Sequence, residues 1–143
     1  MNDLSGGNAV ITGGNSGIGY ATAKKLKANG ANVIITGRST ERVNAAAKEL
    51  GVRGIVADVA NLSALDDLVE HVKGEFAQLD ILFVNAGIFA PAAVGQNTEE
   101  MFDTQMGINF KGAVYTIEKF LPLMNAGASI ADISEQIQFN RLK

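Results

Sequence analysis

Short apolar runs alternate with amphipathic stretches along this chain, and glycines stand at many of the joints. Asn8 to Thr12 is β-rich and ends at Gly13-Gly14, which predicts a strand with a sharp exit. Ile18 to Ala28 predicts a helix closed by Gly30. Ala31 to Thr36 contains Val33-Ile34-Ile35, a run apolar on both sides and so a strand covered on both faces. Ser39 is placed to cap a helix from Thr40 to Leu50, ended by Gly51. Val52 to Val59 predicts a third strand. Ser63, with Asp66 three residues on, predicts the start of the next helix, whose apolar positions are Leu65, Leu68, Val69 and Val72. Ile81 to Val84 predicts a fourth strand, and Asn85-Ala86-Gly87 the turn after it.

A loop is expected from Ile88 to Asn97, then a helical stretch from Thr98 that includes Met101, Phe102 and Met106. Phe110, Val114, Ile117 and Leu121 predict the buried stripe of a second helix, stopped near Pro122. Gly127 is expected to introduce a fifth strand, Ala128 to Ser134. Such alternation of β and α predicts an α/β fold: a parallel sheet with helices on both faces. Right-handed crossovers place five strands in the order 3-2-1-4-5, a doubly wound sheet of Rossmann type.

Composition narrows the function. The chain has 143 residues, of which 47% are hydrophobic and 19% charged. That suits a single domain, residues 1–143, with a real core. Net charge is −3, with Lys and Arg scattered, so no footprint for a nucleic-acid backbone is expected. There is no cysteine, and His71 is the only histidine. Disulfides, thiol chemistry and metal sites needing two histidines are therefore excluded, and no metal is expected. His71 is expected on a solvated face, and Asp66-Asp67 to serve as charge near a helix N-terminus. Met1 to Asn8 has neither the basic nor the apolar region of a leader, and no apolar run is long enough to span a bilayer. The expectation is a cytoplasmic protein without membrane partners.

The chemistry concentrates in Thr12-Gly13-Gly14-Asn15-Ser16-Gly17-Ile18-Gly19, between the first strand and the first helix. Gly13 permits the tight exit, Gly17 lets backbone approach a phosphate, and Gly19 lets the helix pack closely. The free N–H groups and positive end of that helix then suit a diphosphate. A Gly-rich hairpin without a ligand is the alternative; glycine spacing, flanking elements and position in the chain all favour the phosphate loop.

The spacing T-G-x-x-x-G-x-G resembles that of the short-chain dehydrogenase/reductase family. Asp58-Val59 looks like the family's pair beside the adenine ring. Asn85-Ala86-Gly87 resembles the N-A-G that ends strand four and approaches the nicotinamide ribose. Asn109 resembles the helix asparagine that holds a water in the proton relay. The likeness runs from about Leu4 to Ser134 and implies a nicotinamide dinucleotide as cofactor. Thr36-Gly37-Arg38-Ser39 then bears on which one. Gly37 stands where an acid would accept hydrogen bonds from a ribose 2′-hydroxyl, and Arg38 offers a charged fork for a 2′-phosphate. NADP(H) is favoured over NAD(H), the alternative being that Arg38 only faces solvent.

The resemblance implies hydride transfer between the nicotinamide and a carbonyl or alcohol substrate, with a Y-x-x-x-K pair after the fifth strand handling the proton. No tyrosine follows Ser134. Tyr115 and Lys119 have the spacing, but the pair starts only six residues beyond Asn109 on the same helix and is expected to be exposed or interfacial. Ser134 matches the first of the family's paired small polar residues. Glu135 follows where a hydroxyl belongs, and its charge would oppose an oxyanion; a shift of one residue would restore Ser134. The expectation is the family's cofactor-binding portion without its C-terminal catalytic portion, inactive alone. The alternative is a non-catalytic dinucleotide-binding module or sensor. The fifth strand would then be a sheet edge, with Ile130 and Ile133 uncovered and Asp132 discouraging pairing. A homo-oligomer or a complementing chain at that edge is expected.

Overall fold

The computed structural model describes residues 3–133. Five strands form one parallel sheet in the order β3-β2-β1-β4-β5, as the alternation of elements predicts. β1 (Asn8–Thr12), β2 (Asn32–Gly37) and β4 (Leu79–Val84) fill the middle. They pair in register, Val10 with Ile34 on one side and Leu82 on the other. All three of these side chains are fully buried. β3 (Arg53–Val56) and β5 (Met124–Asp132) close the two edges.

Side chains alternate across the sheet and build two cores. On one face Val10, Ile34 and Leu82 meet Leu65, Leu68 and Val72 of α3 (Leu62–Glu75), with Ile108 and Phe120 beyond them. On the other, Ala9, Ile11, Val33 and Ile35 meet Ala23 of α1 (Gly17–Ala28) and Ala46 and Ala47 of α2 (Thr40–Leu50). Small residues on α1 and α2 let those helices lie close to the sheet. Such close-packed burial supplies most of the driving force, at roughly 25 cal/mol per Å² of apolar surface.

Several local expectations are corrected. Asn61, not Ser63, caps α3: its Oδ1 accepts from the Ala64 amide at 3.1 Å, and the helix starts at Leu62. Asp66 and Asp67 therefore lie past the first turn and are not N-terminal charges; Asp66 instead pairs with Lys119. The third strand is shorter than Val52–Val59, because β3 is a sheet edge that needs pairing only along β2. The fifth strand begins at Met124, ahead of Gly127. Gly127 sits within it at φ 85°, where the register against β4 shifts between Leu79 and Ile81. Two steps along β4, Leu79 to Ile81, stand against five along β5, Met124 to Ser129, and the glycine takes the positive φ within that irregular bend.

The two helices expected after Thr98 are one continuous rod. α4 (Glu99–Met106) passes through a π-helical turn, Gly107–Lys111, directly into α5 (Gly112–Phe120). Of the predicted stripe only Ile117 packs against the core, and Phe110, Val114 and Leu121 are exposed. Phe110 is 63% exposed and Leu121 54%, while Ile108, Gly112, Ala113, Thr116 and Phe120 face the core. The reason is proximity: a Cβ on Gly112 would lie 2.9 Å from Val59 Cγ2 and 3.1 Å from Val59 O. The rod comes so near Val59 at Gly112 that no side chain fits there, while Ile108 and Phe120 fill the wider space on either side.

Candidate functional site

A cleft of about 620 Å³ opens at the C-terminal ends of β1, β2 and β4, beside the switch between β1 and β4 where open α/β sheets receive ligands. The loop after β1 forms its floor. Gly13 takes φ 64° and Gly17 φ 56°, conformations that cost other residues about 1–2 kcal/mol. Gly19 is required for a different reason: a Cβ there would overlap the carbonyl oxygen of Gly13 and meet the Asn85 amide. Around Gly17 the place of a Cβ is open, with nothing within 4 Å.

Helix capping separates this corner from the rest of the molecule. Ser39, Asn61 and Thr98 each accept a backbone N–H at the start of α2, α3 and α4. Ser16, at the start of α1, makes no such bond, and the first turn carries no acid. The amide donors there are left for a ligand, and the helix dipole favours an anion. Asn15, Ser16 and Ile18 line the cleft beside them. Thr36 lines it too, with a fully buried hydroxyl that has no protein partner among the described residues. Open space at Gly17, uncapped amides and an orphaned hydroxyl together fit a diphosphate-bearing nucleotide.

Thr12 holds the loop from behind and does not line the cleft. Its hydroxyl oxygen accepts from the amides of Asn85 at 2.9 Å and Ala86 at 3.0 Å. The Asn85 side chain in turn donates to Thr12 O at 3.3 Å and Gly13 O at 3.1 Å. Asn85, Ala86 and Gly87 therefore stitch the end of β4 to the loop, and all three line the cleft.

At the opposite wall stand Gly37, Arg38 and Ser39. The Asn15 side chain lies over Gly37, leaving no room there for a side chain unless Asn15 moves. Arg38 is exposed and takes part in no ion pair among the described residues. Val59 lines the cleft together with Ala57. Asp58 is exposed and outside the lining, its Oδ1 accepting from the Ala60 amide at 2.9 Å. Sequence reading missed Thr36, Arg42, Ala57, Ile88 and Ile108 on these walls. The sequence marks Arg42 only as a basic residue four beyond Arg38, and the apolar ones carry no local signal.

Asn109 lies in the π turn, an irregularity often found at functional sites. Its amide grips the backbone of Ile88, accepting from the N–H at 2.8 Å and donating to the carbonyl at 2.7 Å. One turn earlier Gln105 holds Ala90 in the same way, at 3.4 and 3.2 Å. The pair pins the loop after β4 against the helix. A smaller hollow bounded by Asn85, Gly87, Asn109 and Asp132 borders the cleft. Ser134 lies outside the described residues. Neither Tyr115 nor Lys119 lines cleft or hollow. Tyr115 is exposed on α5 and Lys119 reaches Asp66 on α3. No helix among the described residues is long and apolar enough to cross a membrane.

Comparison with known proteins agrees with this architecture. The family model described as short chain dehydrogenase matches residues 7–141. An oxidoreductase of Sarocladium schorii is 45% identical over 123 residues, 85% of this chain and 49% of that protein. An uncharacterized oxidoreductase of Staphylococcus haemolyticus is 35% identical over 132 residues, 90% of this chain and 57% of its own length. The chain thus spans about half the length of these curated relatives. Among solved structures, a short chain dehydrogenase from Burkholderia cenocepacia in complex with NADP superposes with a TM-score of 0.84 at 35% identity, covering 92% of this chain and 56% of that one. The NADP active-site complex of RhlG from Pseudomonas aeruginosa gives a TM-score of 0.86 at 29% identity, covering 92% and 57%. With the five-stranded order and the family match over residues 7–141 in place, this chain belongs to the short-chain dehydrogenase family of oxidoreductases.

Proposed function

We propose that this chain is the NADP(H)-binding portion of a short-chain oxidoreductase acting on a carbonyl or alcohol substrate. The observation that carries the reading is the charge of the cleft. Its lining includes Arg38 directly after Gly37 and contains no aspartate or glutamate, in a chain whose net charge is −3. An NAD-type site would place an acid at this wall to bind the ribose 2′-hydroxyl. The NADP complexes among the structural relatives support the same choice.

In this reading the α1 amides, Gly13, Gly17 and Ser16 hold the diphosphate, Arg38 and Ser39 the 2′-phosphate, and Ala57 to Val59 border the adenine. Asn85 to Gly87 border the nicotinamide ribose. When bound, NADP(H) supplies the hydride donor or acceptor. The chain's own residues orient the cofactor, and Asn109 positions the loop after β4. Proton delivery has no candidate among the described residues, since Tyr20 and Tyr115 are the chain's two tyrosines and neither lines the cleft. We therefore expect no turnover from these residues alone. The same observation favours a second reading, a dinucleotide-binding module or sensor without catalysis.

The edge strand β5, with Ile130 and the following Ile133 exposed among the described residues, is proposed to meet a complementing segment or another copy of the chain in a cytoplasmic assembly. Titration with NADPH and NADH, followed by nucleotide fluorescence in the parent and Arg38→Asp proteins, tests the cofactor assignment. Tighter NADPH binding, reversed by the substitution, supports it. Equal affinity for the two in the parent overturns it. Carbonyl-dependent NADPH oxidation by the purified chain would overturn the expected lack of turnover.

A further inference from the structure

We infer that Arg42 is a second specificity residue for the cofactor, sharing the adenosine 2′-phosphate with Arg38; this rests on the NADP(H) reading above. Arg42 lies in the first turn of α2 and lines the same cleft as Arg38 and Ser39. Among the described residues it forms no ion pair, and it is exposed. The position is unfavourable for a cation. A helix N-terminus carries partial positive charge, and a guanidinium there is repelled rather than stabilised. Arg42 therefore brings α2 a cost with no visible structural return, while the cleft gains a second fork for an anion.

The glycine loop on the other side of the corner brings no cation, because Ser16 is neutral. The Ser39 side chain accepts from the Arg42 amide at 3.3 Å, leaving its own hydroxyl proton to be donated elsewhere. Arg38, Ser39 and Arg42 thus bracket the cap of α2 with donors from both sides. A phosphate dianion has enough acceptor oxygens for both guanidinium forks, and each charge-assisted pair is stronger than a neutral hydrogen bond. Glu41, also in that turn, does not line the cleft.

The test measures binding by calorimetry and unfolding by thermal melting for the parent, Arg38→Met, Arg42→Met and Arg42→Lys. The probes are NADPH, NADH, adenosine 2′,5′-bisphosphate and 5′-AMP. Arg42→Met is expected to weaken NADPH and the 2′,5′-bisphosphate about tenfold. NADH and 5′-AMP should be unchanged, and the melting temperature should hold or rise. Arg42→Lys is expected to fall between, keeping charge but losing the fork. Loss of NADPH affinity should also shrink as salt is raised. If Arg42→Met binds NADPH like the parent while Arg38→Met is weakened, the inference fails and the cofactor reading stands. If the parent binds NADH and NADPH equally and neither arginine matters, both fail together. An equal loss for NADH and NADPH would make Arg42 a structural residue and overturn the inference.

Discussion

Ile88 and Asn109 are joined by two hydrogen bonds, amide to Oδ1 at 2.8 Å and Nδ2 to carbonyl at 2.7 Å. Asn109→Ala leaves both backbone groups of a partly buried residue without a partner, at about 1–3 kcal/mol. Asn109→Asp still accepts from the amide but sets a carboxylate against the carbonyl, and it should cost at least as much. Amide hydrogen exchange checks this: protection of Ile88 should fall, while that of β1 stays at the global level.

Two glycines of the loop should respond differently to one added methyl. Gly19→Ala forces the methyl onto Gly13 O and the Asn85 amide, and destabilisation of about 1–3 kcal/mol follows from overpacking. Gly17→Ala meets no protein atom but keeps a φ of 56°. About 1–2 kcal/mol of strain is expected there, with a larger loss of nucleotide affinity because the methyl stands where a phosphate should approach. Urea unfolding alongside nucleotide titration separates the two.

Thr12→Val removes a fully buried hydroxyl that accepts from two amides. The shape is kept and the acceptor lost, so the amides of Asn85 and Ala86 are orphaned at about 1–3 kcal/mol. Thr12→Ser, which keeps the oxygen, should recover most of the loss in a denaturation midpoint.

Tyr20 on α1 is bonded to Glu49 on α2, and the carboxylate holds the phenol in its protonated form, raising its pKa above the ordinary 10.0. A raised folded-state value means that the contribution is complete below the ordinary pKa and is lost as pH rises through the raised one. Absorbance titration of the phenolates should show one tyrosine ionising late, and Glu49→Gln should bring it down.

The strand–loop–helix at the start of the chain is legible in the sequence because its causes are local. β1, the glycine loop and α1 each follow from neighbours in sequence: a β-branched run, residues able to take positive φ, and a helix pattern. The same holds for α2, where Ser39 caps and Gly51 at φ 65° ends the helix. The start of α3 is harder to read, because Asn61 and Ser63 are both good capping residues and stand two positions apart. Only the path of the chain out of β3 selects Asn61.

The chain's alternating pattern was sufficient to determine the parallel sheet, its strand order and the glycine loop after β1, since these depend on periodicity, handedness and missing side chains within short segments. Which face of the α4–α5 rod meets the core was settled only in three dimensions. Hydrophobicity singles out Phe110 and Leu121, whereas the sheet admits Gly112, Ala113 and Thr116 because the rod must come close to Val59. The grip of Asn109 on Ile88 and the entry of Arg42 into the cleft have the same origin. Each depends on the distance between segments far apart in sequence or on different walls, and that distance is set by how the layers pack.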